Sequence, residues 1–319
     1  MTKSADTVND PDGFDQWAAP GYPVFLGSEF SHPEPAAALF HVLPVPYEAT
    51  VSYGAGTGGG PAAILAASWQ LEAWDVSSRP TDLGIHTLPP VDVSGDADSV
   101  LAGISAATAA IVSAGHMPVM LGGEHSVTDA AVQGLLAAGI EDLGVVQIDA
   151  HADLRDTYEG NRRSHATVMK RVVDRGIPLY QLGIRACCEE ELAARRTHGV
   201  YHKDAEQLVP QGITTIELPQ DFPAHVYFTV DVDGMDPSVF PATGTPVPGG
   251  LGWYQTLSLF ESVARQRRII GFDVVEFAPI EGFHAYDFAA ALLVYRLMGI
   301  VQRTRASLDG QSAAAAVSR

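Results

Sequence analysis

Apolar positions along the chain fall into two patterns: short unbroken apolar runs, and stretches with apolar residues three and four apart. Runs read as strands buried on both faces, and the spaced pattern as helices with one apolar stripe. Residues 38–43 predict the first strand. After the glycine-rich loop 54–60, Pro61 stands where a first helical residue is expected, and residues 62–73 read as helix. Leu101, Ile104, Ala107 and Ile111 make a helical stripe stopped by Gly115, with Pro118 beyond it. A strand at 118–121, a helix ending near Ala138 and a strand ending at Asp149 follow. The remainder predicts helix 165–173, strand 179–183, helix 189–196, a strand ending at Asp231, helix 256–265, strand 269–276 and helix 288–298.

Repeated strand–helix alternation implies an α/β sandwich, a mainly parallel sheet covered on both faces. Residues 1–36 are polar and rich in Pro, Gly and Asp, and read as an N-terminal arm. Residues 37–306 read as one domain, and the Ala/Ser-rich stretch 307–319 as a fraying, flexible tail.

Composition narrows the function classes. With 46% hydrophobic residues and a mean hydropathy of +0.08, 319 residues can bury a large core. The balance of 38 acidic against 19 basic residues, a formal charge of -19, argues against nucleic-acid binding. The two cysteines, Cys187 and Cys188, are adjacent. Neighbouring Cα atoms about 3.8 Å apart are too close for an ordinary disulfide, which favours a reducing compartment. No secretory signal pattern and no stretch of membrane-spanning length is read, so the expectation is a cytoplasmic protein with no membrane partner.

Candidate chemistry sits at strand ends. Asp149, His151 and Asp153 follow one apolar run, and Asp231 and Asp233 follow another. Side chains two apart on an extended chain point the same way. Carboxylates gathered so closely would repel and desolvate badly without cations, which predicts a metal site with two metals. His125 in Gly122-Gly123-Glu124-His125-Ser126 stands at another strand end. Two imidazoles and four carboxylates suit Mn²⁺, whereas zinc sites more often use cysteine. A pair of ions roughly 3.5–4 Å apart can generate hydroxide near neutral pH. Taken singly, His125 is a polar helix start, Asp149 or Asp231 a cap, and Asp236-Pro237 a turn. Their convergence on strand ends, where ligands of open α/β sheets bind, favours the metal site.

These motifs carry a resemblance. Gly122 through Ser126, Asp149 through Arg155, Ser164-His165-Ala166, Asp231 through Pro237 and Pro241 through Pro246 resemble the ureohydrolase (arginase and agmatinase) family, and most closely its bacterial agmatinase-like branch. The resemblance covers residues 38 to 302. It implies a three-layer α/β/α domain assembled as a homo-oligomer, trimer or hexamer. It also implies two Mn²⁺ ions per subunit and hydrolysis of a guanidino compound to urea and an amine. His125, Asp149, Asp153 and Asp231 would hold one metal, and Asp149, His151, Asp231 and Asp233 the other. Glu276 would pair with the substrate guanidinium, a planar match. His165 would shuttle a proton to the leaving amine.

The substrate tail is less defined. Agmatine, giving putrescine and urea as in polyamine biosynthesis, is the expected substrate. Guanidinobutyrate or guanidinopropionate is the alternative, and arginine fits less well, because loop 154–163 lacks the arginase pattern. In that loop Asp156 and Glu159 favour a cationic tail, whereas Arg162 and Arg163 favour an acidic one unless they are surface or subunit-contact residues. Two other classes stand beside these: a metal-stabilised interaction protein without turnover, and a one-metal zinc deacetylase, which Asp153 and Asp233 disfavour.

Overall fold

The computed structural model describes residues 23–27, 30, 33–75 and 77–317, with side chains described as far as residue 308. The expected N-terminal arm therefore lies largely outside the described residues. Its described part is anchored: Phe25 and Leu26 are buried, and their amides donate to Thr87 Oγ1 and Ser68 Oγ.

Strands β1 (Phe40–Val45), β2 (Ile85–Thr87), β3 (Met117–Gly122), β4 (Leu143–Ile148), β5 (Leu179–Leu182), β6 (Tyr201–Lys203), β7 (His225–Asp231) and β8 (Arg268–Val275) form one sheet. The order is β2-β1-β3-β8-β7-β4-β5-β6, and all its pairings are parallel. Helices α1 (Gly60–Ala67), α2 (Ala97–Ser113), α3 (Val127–Ala137), α4 (Val168–Asp174), α5 (Glu189–His198), α6 (Ala205–Leu208), α7 (Trp253–Ala264) and α8 (Ala285–Val317) fill the connections. Successive strand side chains point to opposite faces, and this builds two cores. Val42, Val119, Val146, Phe228 and Phe272 pack with Ile64 of α1, Phe260 of α7 and Leu293 of α8. Their neighbours Leu43, Met120, Val145 and Tyr227 pack with Ile104 of α2, Val132 of α3 and Met169 of α4. The result is the three-layer α/β/α sandwich.

Local chemistry fixes the helix ends. Asp96 caps α2, accepting from the Ser99 amide at 2.8 Å. Helix α5 carries Glu189, Glu190 and Glu191 in its first turn and Arg195, Arg196 and His198 in its last, matching the helix dipole. Gly199, at φ 63°, closes it in the left-handed conformation.

Several predicted boundaries move. The first strand begins at Phe40, and the helix expected over 62–73 ends at Ala67, followed by a 3₁₀ turn over Ser68–Gln70. Edge strands β2 and β6 were not predicted, because three residues carry too little periodicity to register. Helical backbone continues to Val317, through the stretch expected to fray. The expectation that no stretch reaches membrane-spanning length is corrected: Ala285–Leu308 is long and apolar enough by length and composition. More than half of it is buried, with Leu293, Val294, Leu297 and Met298 in the core.

The carboxyl ends of β3, β8, β7 and β4, four adjacent strands, carry the loops that matter. Gly123 passes so close to the β1 end that a Cβ there would lie 2.0 Å from the Tyr47 carbonyl oxygen. Its amide donates to the Val45 carbonyl and its own carbonyl accepts from the Glu276 amide. Gly123→Ala should therefore lower unfolding stability by about 1–3 kcal/mol or more, read as a drop in urea midpoint. An unchanged midpoint would show that this approach is not tight.

Candidate metal centre and active-site pocket

The six predicted ligands converge. His125 follows β3, Asp149, His151 and Asp153 follow β4, Asp231 ends β7 and Asp233 lies in the 3₁₀ turn after it. His125 Nδ1 lies 2.9 Å from Asp153 Oδ2, 3.1 Å from Asp149 Oδ2 and 3.4 Å from Asp231 Oδ2. His151 Nδ1 lies 2.9 Å from Asp233 Oδ2 and 3.6 Å from Asp149 Oδ1. Two groups of ligand atoms result, His125/Asp149/Asp231 and Asp149/His151/Asp233, each spanning no more than 4.8 Å. Asp149 belongs to both.

Electrostatics oppose full ionisation of these carboxylates in the bare protein. Burial, then the charges of Asp233 and Asp149, pushes Asp231 well above the ordinary carboxylate range. Burial and the Asp149 charge push Asp153 up to about 7. Burial also opposes ionisation of Asp149, but the adjacent His125 and His151 imidazoles outweigh it and hold that carboxyl low. The same contacts with Asp149 and Asp233 outweigh burial at His151 and push it up to about 12. Without a cation, protons must supply the missing positive charge.

The residues fit a metal pair on a further observation. The His125 ring is fixed through Nε2, 2.9 Å from Thr229 Oγ1. Its Nδ1 is buried among three carboxylate oxygens and makes no hydrogen bond. An imidazole nitrogen facing carboxylates, with the other nitrogen held from behind, is the arrangement of a metal ligand.

Around this centre the backbone is held under strain. Asp153 and Glu276 have φ of 54° and 60°, a left-handed conformation uncommon for residues with a Cβ. Each costs on the order of 1–3 kcal/mol, and such strain collects at functional sites. Glu276 Oε1 accepts from the His125 amide at 2.6 Å, and burial pushes this carboxyl up to about 8. The predicted His165 stands at the other wall, Nδ1 3.2 Å from Thr50 Oγ1 and Nε2 3.4 Å from Ser52 Oγ. Burial lowers its pKa below the ordinary imidazole value. Tyr158 meets its ring edge-on at 5.6 Å.

A cavity of about 410 Å³ joins these groups. His125, His151, Asp153, Asp231, Asp233, His165 and Glu276 all line it. Asp149 lies fully buried beneath them.

Asp236 is a turn residue, as predicted from its own motif. It accepts from the Ser238 hydroxyl and from the Ser238, Gly249 and Gly250 amides, and these bonds hold its carboxyl down at about 2.

The loop 154–163 differs from expectation. Asp156 is taken by Arg162 and Arg171, Arg163 pairs with Asp98, and none of Asp156, Glu159, Arg162 and Arg163 lines the cavity. The surface reading of both arginines is the observed one. Arg155 and Tyr158 line it instead, with the Arg155 guanidinium 5.4 Å from the Tyr158 ring centroid.

Sequence reasoning assigned no role to several supporting residues. Glu124 is fully buried and accepts from the Ala49 and Thr50 amides at 2.6 and 2.5 Å, tying the Thr50 loop to the His125 turn. The Thr245 hydroxyl donates to Asp233 Oδ2 at 3.2 Å. Arg185 donates to the carbonyls of Asp233, Gly234 and Met235, fixing the loop beyond β7. Glu124 and Thr245 lie within the recognisable motifs; Arg185 had no signal beyond its place after a strand.

The sequence profile of the Arginase family matches residues 38–299. The chain belongs to the arginase family. It is 38% identical over 278 residues to the N(1)-aminopropylagmatine ureohydrolase of Synechocystis, covering 83% of this chain and 89% of that one. It is 31% identical over 274 residues to the agmatinase of Pyrococcus horikoshii, covering 83% and 93%. The solved agmatine ureohydrolase of Thermoplasma volcanium superposes with a TM-score of 0.76 at 30% identity, covering 86% and 94%. As an arginase-family ureohydrolase, the chain is a hydrolase of amidino C–N bonds. The family depends on a binuclear metal centre, and the two ligand groups sharing Asp149 match that requirement.

Cation binding should therefore stabilise the folded chain. At Mn²⁺ about 100-fold above its dissociation constant, each site adds about 2.7 kcal/mol. Calorimetry should show a rise in Tm that chelation reverses; a Tm indifferent to Mn²⁺ would refute the metal assignment.

Proposed function

We propose that the chain is a binuclear manganese ureohydrolase acting on agmatine-type guanidines, agmatine itself or its N1-aminopropyl derivative, releasing urea and the corresponding amine. The supporting observation is one pocket in which two His/Asp groups sharing Asp149 face Glu276 and His165. The names of the relatives support the cationic tail. Two free, adjacent cysteines fit a cytoplasmic setting, and a homo-oligomer is part of the same proposal.

His125, Asp149, Asp153 and Asp231 would hold one ion, and Asp149, His151, Asp231 and Asp233 the other. Bound cations supply charge compensation and a water of lowered pKa. The protein's own groups do the rest. Glu276, neutral when alone because of its burial, ionises against a guanidinium and orients that plane by paired hydrogen bonds. His165, kept neutral at pH 7 by burial and oriented by the Thr50 and Ser52 hydroxyls, takes a proton and delivers it to the departing nitrogen. Water adds to the guanidinium carbon, the C–N bond to the tail breaks, and urea and an ammonium leave.

A guanidino-acid substrate is the second reading, favoured by one observation. Arg155 lines the cavity and would meet a carboxylate tail well.

Asp153→Ala and Asp231→Ala should each abolish urea release and lower bound manganese. His165→Ala should slow turnover about 10²–10⁴-fold with metal retained. Full activity in either aspartate variant would sink the ligand assignment. Urea assays on agmatine, N1-aminopropylagmatine, 4-guanidinobutyrate, 3-guanidinopropionate and arginine decide the tail, and a preference for the acids overturns the agmatine proposal.

A further inference from the structure

Beneath the ligand carboxylates lies a second, fully buried polar row. Gln147 and Gln181 are register partners on β4 and β5 and have no exposed surface. Gln147 is two residues before Asp149, so both side chains project from the same face of the strand. Two buried primary amides in the middle of a sheet are costly unless every polar atom has a partner.

The partners define a direction. Arg195 of α5, itself buried, is clamped by Asp204, its Nη1 3.1 Å from Oδ2 and its Nη2 3.0 Å from Oδ1. That fork leaves Nε free to donate to Gln181 Oε1 at 2.7 Å. A guanidinium can only donate, so the atom it meets must be the amide oxygen. Gln181 Nε2 therefore faces the other way, donating to Gln147 Oε1 and to the Ala152 carbonyl, both at 2.7 Å. Gln147 Nε2 in turn donates to Asp149 Oδ2 at 2.7 Å and to the His151 carbonyl at 3.3 Å. Each amide nitrogen thus meets two acceptors, and neither side chain can flip without setting oxygen against oxygen.

The geometry points to a directed relay, Arg195 to Gln181 to Gln147 to Asp149, whose amides are positioning residues for the metal centre. It grips the 149–153 loop at three points: the Asp149 carboxylate and the carbonyls of His151 and Ala152. That loop carries three of the six ligands, including Asp153 in its strained left-handed backbone. Holding one carboxylate oxygen from behind fixes how Asp149 divides between the two ligand groups, a task that a packed apolar pair could not perform. The inference rests on the reading of Asp149 as a ligand shared by two ions.

Two near-isosteric substitutions test it. Gln147→Met removes the donor to Asp149 and leaves the ligands untouched. Gln181→Glu keeps the acceptor that Arg195 needs, and gains charge pairing with it, but cannot donate to Gln147 or to Ala152. Equilibrium dialysis against Mn²⁺ below the unfolding midpoint would measure ions bound per folded chain. Both variants should bind Mn²⁺ at least about tenfold more weakly than the unsubstituted protein, the range usual when a partner behind a metal ligand is lost. A merely structural role would lower the unfolding midpoint and leave the native-state affinity unchanged; that result in folded Gln181→Glu overturns the relay. If the unsubstituted protein bound no Mn²⁺, the metal reading beneath the relay would fall instead.

Discussion

A dry space crowded with carboxylates must be neutralised, and this constraint shapes the centre of the molecule. Four aspartates and two histidines share a pocket floor in which several ligand atoms lie within about 3 Å of one another. No fold would retain that arrangement for stability alone, because unpaired buried charge costs several kcal/mol per ion. The strained backbone at Asp153 and Glu276, the fixed His125 ring and the buried Glu124 latch all answer to it. Each holds a negatively charged or lone-pair atom where proteins ordinarily avoid one.

The sandwich supplies the rigidity this requires. Parallel strands covered on both faces present their carboxyl ends as a shared rim, and four adjacent ends deliver the candidate ligands, the Glu276 carboxylate and the loop glycines. Beneath the rim, Gln181, Gln147, Thr229 and Asp273 form a lateral polar row in register across β5, β4, β7 and β8. Thr229 holds His125, and Tyr227 and Thr128 both donate to Asp273. Strand cores usually exclude such groups, so these hydrogen bonds make the row tolerable, although the buried Asp273 Oδ1 has no partner.

Much of this was legible in the sequence, for physical reasons. Period-2 spacing placed Asp149, His151 and Asp153 on one side, and unbroken apolar runs marked β4 and β7 as buried. His125 was found from its place at a strand end, and the roles of His165 and Glu276 came through the family's motifs rather than by periodicity. What escaped notice depends on contacts distant in sequence. Arg155 and Tyr158 face the cavity while Asp156 and Arg162 pair with each other, a distinction that no spacing within the loop encodes. Gln147 sits within an apolar run and carries no signal of its own, because its partner Gln181 lies 34 residues further on and the next link, Arg195, a further 14. Positive φ at Asp153 and Glu276 leaves no sequence trace when the residue is not glycine.

The sheet order has a consequence for how the chain is made. All six candidate ligands precede residue 234, yet β3, which leads into His125, is separated from β7 and β4 by β8. That dividing strand is the last of the eight along the chain, spanning Arg268–Val275. A nascent polypeptide emerging from the ribosome will hold every candidate ligand well before it can bring them together. Only when the final strand slots between its neighbours does the His125 turn come to its proper distance. A chain cut short before β8 would carry all six candidate ligands without the strand that links β3 to β7.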